Sequence, residues 1–192
     1  MDGMTTARKD SARERILEAA LKLFYERGVN AVGIDTVIEQ AGVAKMSLYK
    51  HFKSKDELIA AFLRERDQRW RASFVEAVEA LASDPRGRLL AAFDALAAKI
   101  EAEDYRGCAF INAVGELADP AHPGRRVCDE HVAWLRGYFL NLLREAGAAN
   151  PEAKAGMFVT LMQGALSVCA TERSTRAAIE ARGAAEAILS GA

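Results

Sequence analysis

The chain has 192 residues, 51% hydrophobic and 28% charged, with a formal net charge of −1, an ordinary globular composition able to bury one good core or two modest ones. No stretch offers the run of about eighteen uncharged apolar residues that a membrane span needs, and the opening MDGMTTARKDSARERI has no apolar signal core. A cytoplasmic location without a membrane partner is therefore expected.

Helical periodicity runs from end to end, with breakers at Asp84-Pro85, Gly107, Asp119-Pro120, Gly147 and Asn150-Pro151. The first helix opens on Ser11 and Glu14 in capping-box spacing, carries Ile16, Ala20, Leu23 and Phe24 as an apolar face, and stops at Gly28. Two short helices come next, around a tight turn. Ile34, Val37, Ile38 and Ala41 mark one face of the first, Gly42 supplies the turn's backbone freedom, and Val43 buries it. In the second, Leu48 and Phe52 lie four apart on one face, while Lys45, Met46, Ser47, Tyr49 and Lys50 cover the rest and are free to touch a ligand.

From Ala44 to Lys55 stand Lys45, Lys50, Lys53, Lys55 and His51, with no carboxylate before Asp56. A basic run is often only a solvated helix face. Here it coincides with a two-helix turn of the length a major-groove reader requires, so double-stranded DNA is the expected partner.

The order Ala41-Gly42-Val43, Ser47-Leu48-Tyr49, His51-Phe52, Ser54-Lys55 and Leu58 resembles the DNA-binding domain of the tetracycline-repressor (TetR) family of bacterial transcription regulators. The likeness covers Ser11 to Phe62. It departs from the family pattern at Gly33, where members often have Ser or Thr, and at Ile38, where they often have Ala. Gly33 is a side-chain-free N-cap, which removes a hydroxyl that could meet phosphate. The resemblance implies an all-α chain with a three-helix DNA-binding domain over residues 9–54 and a regulatory domain over 55–192, about nine helices in total. It also implies a homodimeric regulator, more often a repressor than an activator, released by a small-molecule effector. Gly33, Lys45, Met46, Ser47, Tyr49, Lys50, His51 and Lys55 are the expected DNA contacts. Among them, Lys45, Met46 and Ser47 are expected at base edges, and Tyr49 and Lys55 on phosphate.

Ser54 and Glu57, again in capping-box spacing, open a long helix from Lys55 to about Leu81. Leu58, Phe62, Trp70, Phe74, Val78 and Leu81 lie along it, so one rod joins the head to the remaining helices. Further helices are expected to about Glu103, from Cys108 to Ala118, from about Pro123 to Glu145, from Pro151 to Thr171 and from Ser174 to Ser190. Asp84 and Asn150 are placed to cap helices that begin on proline.

The last two helices carry more apolar surface than one face needs, and the final one is a series of small residues that permits close approach. Met162, Leu166, Ala181 and Ala185 are the expected dimer contacts, with an intrachain core as the plainer alternative. For the effector, Phe74, Cys108, Ile111 and Trp134 are expected as walls, and Asn112, His131 and Gln163 as polar anchors of a mostly apolar ligand. The plainer alternative is that these polar groups bond to each other or to backbone and enclose no cavity.

Cys108, Cys128 and Cys169 are too few and too widely spaced for a disulfide framework, and buried small hydrophobe is the default role. A thiol-based redox sensor at Cys108 or Cys128 is the sharper alternative, since Arg125 and Arg126 stand near Cys128. His122, Cys128 and His131 match no common zinc spacing. A helical enzyme would need Cys108 or Cys128 as nucleophile with His131 as base, but no nucleophile elbow, phosphate loop or carboxylate pair accompanies them. A protein–protein adaptor would leave the basic run unexplained. No metal, cofactor or catalytic residue is expected.

Overall fold

In the computed structural model, which describes residues 11–101 and 105–191, the described residues form nine α-helices and no strand. They are α1 (Ala12–Arg27), α2 (Ile34–Ala41), α3 (Lys45–His51), α4 (Lys55–Leu81), α5 (Pro85–Glu101), α6 (Ala109–Glu116), α7 (Pro123–Glu145), α8 (Pro151–Glu172) and α9 (Arg176–Ser190). The expected end of α5 near Glu103 and the expected start of the head at Lys9 lie outside the described residues.

Local chemistry accounts for most helix ends. Ser11 and Glu14 close a full capping box, and Gly42 ends α2 in the left-handed region at φ 60, where a side chain would be strained. Asp84 accepts from the Gly87 N–H at 2.9 Å. Two expected caps take another form. Ser54 accepts from the Glu57 N–H, but the Glu57 carboxylate reaches Lys53 N at 2.8 Å rather than Ser54 N, so the box is only half made. Asn150 adopts a left-handed backbone and makes no side-chain cap bond, leaving Pro151 to start α8 by its fixed φ alone.

Side chains bury into two clusters. The first unites α1, α2, α3 and the start of α4, through Ile16, Phe24, Val37, Leu48, Phe52, Leu58 and Phe62, and extends into α6 and α7 through Phe110, Leu117 and Val127. The head formed by α1, α2 and α3 is thus seated directly on α6. The second cluster joins the rest of α4 to α5, α7, α8 and α9 around Phe74, Phe93, Leu135, Phe139 and Phe158. Along the rod, Trp70 is only half-buried, Leu81 is exposed at the helix end, and Asp67 is buried.

Met162, Leu166, Ala181 and Ala185, expected at the dimer interface, are all buried within the single chain. They fill the second core, because α8 and α9 pack on each other and on α5 and α7. What remains outside on the same helices is Met157 (50% exposed), Val168 (42%) and Ile179 (64%). Against the expectation that no stretch could span a membrane, α8 is long and apolar enough by length and composition alone, with mean hydropathy 1.3 over its most apolar window, 39% of it buried, a test that the core helix of a globular bundle also passes.

Candidate nucleic-acid interface and regulatory cavity

The α3 helix is pinned by its two apolar residues. Leu48 and Phe52 are fully buried in the first cluster, where α3 packs on α1 and α2, and the Arg13 guanidinium lies over the Phe52 ring at 5.5 Å. Arg15 of α1 donates to the carbonyl of Gly42 at 3.2 Å and braces the turn. Neither arginine stands out in the sequence, where each reads as part of a solvated helix face.

With one face so fixed, the other is open. Met46 is 79% exposed and Tyr49 42%, with Lys45 and Lys50 exposed beside them and Ser47 and His51 half-buried. A thioether and a phenol left out of the core in so small a head are unusual, because both would gain by burial. Lys45 pairs with Asp35 at 3.1 Å, and that bond raises its pKa. The pair is exposed on both sides, so DNA can take the ammonium over at little cost. Lys55 Nζ donates to the Asn30 carbonyl at 3.5 Å from the first turn of α4. Gly33 caps α2 with no side-chain bond, and its Cα faces open space.

A small cavity of about 50 Å³ lies where α1, α4, α5, α6, α7 and α8 meet. Tyr25, Arg66, Trp70, Leu96, Lys99, Tyr105, Gly107, Cys108, Ala109, Phe110, His131 and Leu166 line it. Of the expected ligand residues, Cys108 and His131 are on its wall. Phe74 and Trp134 stand one layer out, in an aromatic stack in which Trp70 lies 4.6 Å from Phe74 and 6.0 Å from Trp134. Ile111 packs on the second core, and Asn112 turns outward to donate to the Arg106 carbonyl at 3.1 Å. Gln163 is half-buried away from the cavity, with Nε2 unbonded among the described residues. Sequence reasoning missed Arg66, because Arg64, Glu65, Arg66, Asp67, Gln68 and Arg69 read as one charged face, and missed Tyr25, because it belongs to the head.

His131 is held rather than free. Its Nδ1 lies 2.8 Å from Asp67 Oδ1, and Asp67 also accepts from Arg71 Nε at 2.8 Å. The imidazole stacks on Phe110 with 3.8 Å between centroids and meets the edge of Trp70. Burial lowers its pKa against the opposing pull of Asp67, so the neutral ring is favoured near pH 7. This buried triad ties the middle of α4 to α7.

The cysteine and metal readings find little support in this geometry. Burial pushes the Cys128 thiol up to about 12 and raises Cys108 as well, which disfavours the thiolate that sensing or nucleophilic attack requires. No hydrogen bond joins Cys128 to His131 among the described residues. His122 instead accepts from Gly124 N at 3.0 Å and faces Asp56 at 3.3 Å.

The family model described as "Bacterial regulatory proteins, tetR family" matches residues 16–62, and "Transcriptional regulator LmrA/YxaF-like, C-terminal domain" matches residues 85–182. The chain is 26% identical to the HTH-type transcriptional regulator LmrA of Bacillus subtilis over 168 residues, 85% of this chain and 89% of that protein. To the HTH-type transcriptional regulator YjdC of Escherichia coli it is 27% identical over 180 residues, 92% of this chain and 93% of that one. The crystal structure of SCO4454, a TetR-family transcriptional regulator from Streptomyces coelicolor, superposes with a TM-score of 0.85 at 32% identity, covering 94% of this chain and 95% of that one.

Proposed function

The chain belongs to the TetR family of DNA-binding transcription regulators, and we propose that it acts in the cytoplasm as a homodimeric repressor, released from a near-palindromic operator by a small-molecule effector. The observation that carries this reading is α3 itself, a helix anchored by Leu48 and Phe52 that holds Met46, Tyr49, Lys45 and Lys50 out in solvent. Lys45, Met46 and Ser47 read base edges, Tyr49, Lys50, His51 and Lys55 meet backbone phosphate, and Gly33 lies close to the backbone without a hydroxyl to offer.

Dimerisation falls to the uncharged outer face of α8, where Met157, Thr160, Gly164, Ser167, Val168 and Thr171 succeed one another, with Ile179 and Gly183 beside them on α9. An apolar helix only partly covered by its own chain is completed by a second copy, and Gly164, whose Cα faces open space, permits close approach. A two-fold pair of heads places the recognition helices about one DNA turn apart, roughly 34–36 Å, which is why the operator is near-palindromic.

Release is a shift between two poses of the head. The contacts that set its pose are few. Asn30 bonds twice to Glu116 of α6, at 2.8 Å each, and the Tyr25 hydroxyl donates to the Gly107 carbonyl at 3.3 Å and accepts from Arg106 N at 3.0 Å. An effector that moves α6 or tilts α4 therefore moves α3. Binding-site selection with the purified protein, and then a salt titration on the winning sequence, tests the proposal. A palindromic site bound at least about a thousandfold more tightly than bulk DNA is expected, and equal affinity for all sequences overturns it.

A further inference from the structure

Among the described residues, the cavity between the head and the bundle is lined by two cations and no carboxylate. Arg66 reaches it from α4, half-buried, and Lys99 from α5 at the exposed rim. Neither forms an ion pair among the described residues, whereas the next basic residues along α4, Arg69 and Arg71, both do. The nearest buried carboxylate, Asp67, is already held by Arg71 and His131. Among the described residues Arg66 meets Tyr25 alone, with its guanidinium carbon 3.6 Å from the ring centroid and a hydrogen bond to the phenol. The ring face and the phenol oxygen offset part of the lost hydration, but no described anion meets the guanidinium fork.

Both groups register that deficit. Burial lowers the pKa of Arg66, and burial together with the Arg66 charge lowers that of Lys99, so each cation sits where charge is disfavoured and the two repel. The start of α6 adds to the same sign, since Ala109 and Phe110 of its first turn are on the wall. Around these charges the surface is apolar, from Trp70, Leu96, Phe110 and Leu166.

We propose that this cavity is the head-group site for an amphipathic organic carboxylate, whose anion lies between Arg66 and Lys99 and whose apolar body displaces side chains along Trp70, Leu96 and Leu166. A carboxylate accepts two parallel N–H bonds from a guanidinium, and its single charge suits a site with apolar walls. At about 50 Å³ the space holds a few waters or a carboxylate head, so the body must push the walls apart. The inference rests on the effector-release reading for its consequence. Drawing Arg66 toward the anion takes it off Tyr25, the residue that clasps the 106–107 backbone to the head.

Octanoate and phenylacetate, each against its primary amide, are suitable probes, with the fluorescence of Trp70 and the melting temperature without DNA as readouts. At least one acid should saturate both signals, with its amide at least about tenfold weaker because it lacks the charge. Arg66→Gln and Lys99→Gln should each weaken that acid by at least about tenfold. Lys99 lies at the rim, so its variant tests charge without disturbing the core. An amide that binds as well as its acid, charge variants that bind the acid unchanged, or no saturable signal up to millimolar concentration would overturn the proposal. Selection of an operator by the same preparation separates the two readings. An operator found with no acid bound removes only the anion site, and an acid bound with operator affinity unchanged removes only release.

Discussion

The outer faces of α3 and α8 are both left uncovered by their own chain, yet they are chemically opposite. On α3 the exposed apolar groups Met46 and Tyr49 are interleaved with lysines, whereas on α8 the exposed Met157 and Val168 stand among Thr, Ser and Gly with no charge from Ala155 to Thr171. Phosphate demands cations, and a second copy of an uncharged helix demands their absence, since like charges across a two-fold axis meet themselves. The partner of an uncovered face is therefore readable from what accompanies its apolar groups.

The largest effect should separate the inner from the outer face of α8. Leu166→Glu places a carboxylate in the second core and should cost about 3–5 kcal/mol, enough to abolish the cooperative melt. Val168→Glu, only two residues away and exposed, should keep a cooperative melt and give a monomer by analytical ultracentrifugation. A dimer that persists in the Val168 variant would place the interface elsewhere.

On α3 the expected changes are smaller and concern DNA alone. Removing the Lys55 charge should weaken binding to every sequence and reduce the magnitude of the salt slope by about one unit. Lys45→Ala should instead shift sequence preference, by about tenfold at one or two base pairs in a repeated selection. Identical selected sites from the wild type and the Lys45 variant would move base reading away from α3.

The buried triad gives the next smaller effect. Because the folded pKa of His131 lies below its ordinary value of 6.5, the unfolded chain takes up a proton first as pH falls. Stability should be fully present above about pH 6.5, decline as pH drops below it, and level off once the folded pKa is passed. In His131→Gln this part of the melting-temperature profile should be flat. An unchanged slope would assign the acid sensitivity to another group.

Gly33→Thr should have the smallest effect. The backbone there is extended, φ −79, and an added Cβ meets nothing, so the hydroxyl can cap α2 and reach phosphate. A gain of a few tenths of a kcal/mol in stability is expected, with tighter operator binding in a gel-shift titration. Weaker binding would place the start of α2 away from the phosphate backbone.

Much of the head was legible because its signals are local. The four-residue spacing of Leu48 and Phe52, the glycine of the turn and the lysine run all lie within one short stretch. The cavity was legible only at Cys108 and His131. Arg66 and Lys99 resemble any surface cation until α4 and α5 are packed, and Tyr25 belongs by sequence to a different domain from the wall it forms. Asn112 and Gln163 stand off this cavity's wall for the converse reason, since polar residues on apolar helices meet a cavity only if the helix turns them toward it.

The sequence by itself determined the all-helical architecture, the helix limits to within a few residues and the pair of short helices around the Gly42 turn, because caps, breakers and periodicity act over one or two turns. Only the tertiary structure decided which face of α8 is spent on the chain's own core, that α6 and not α4 alone supports the head, and which cations end without a counter-ion among the described residues. Those outcomes depend on burial and charge contributed by residues distant in the chain, and the energy of an apolar or charged group is set by its surroundings.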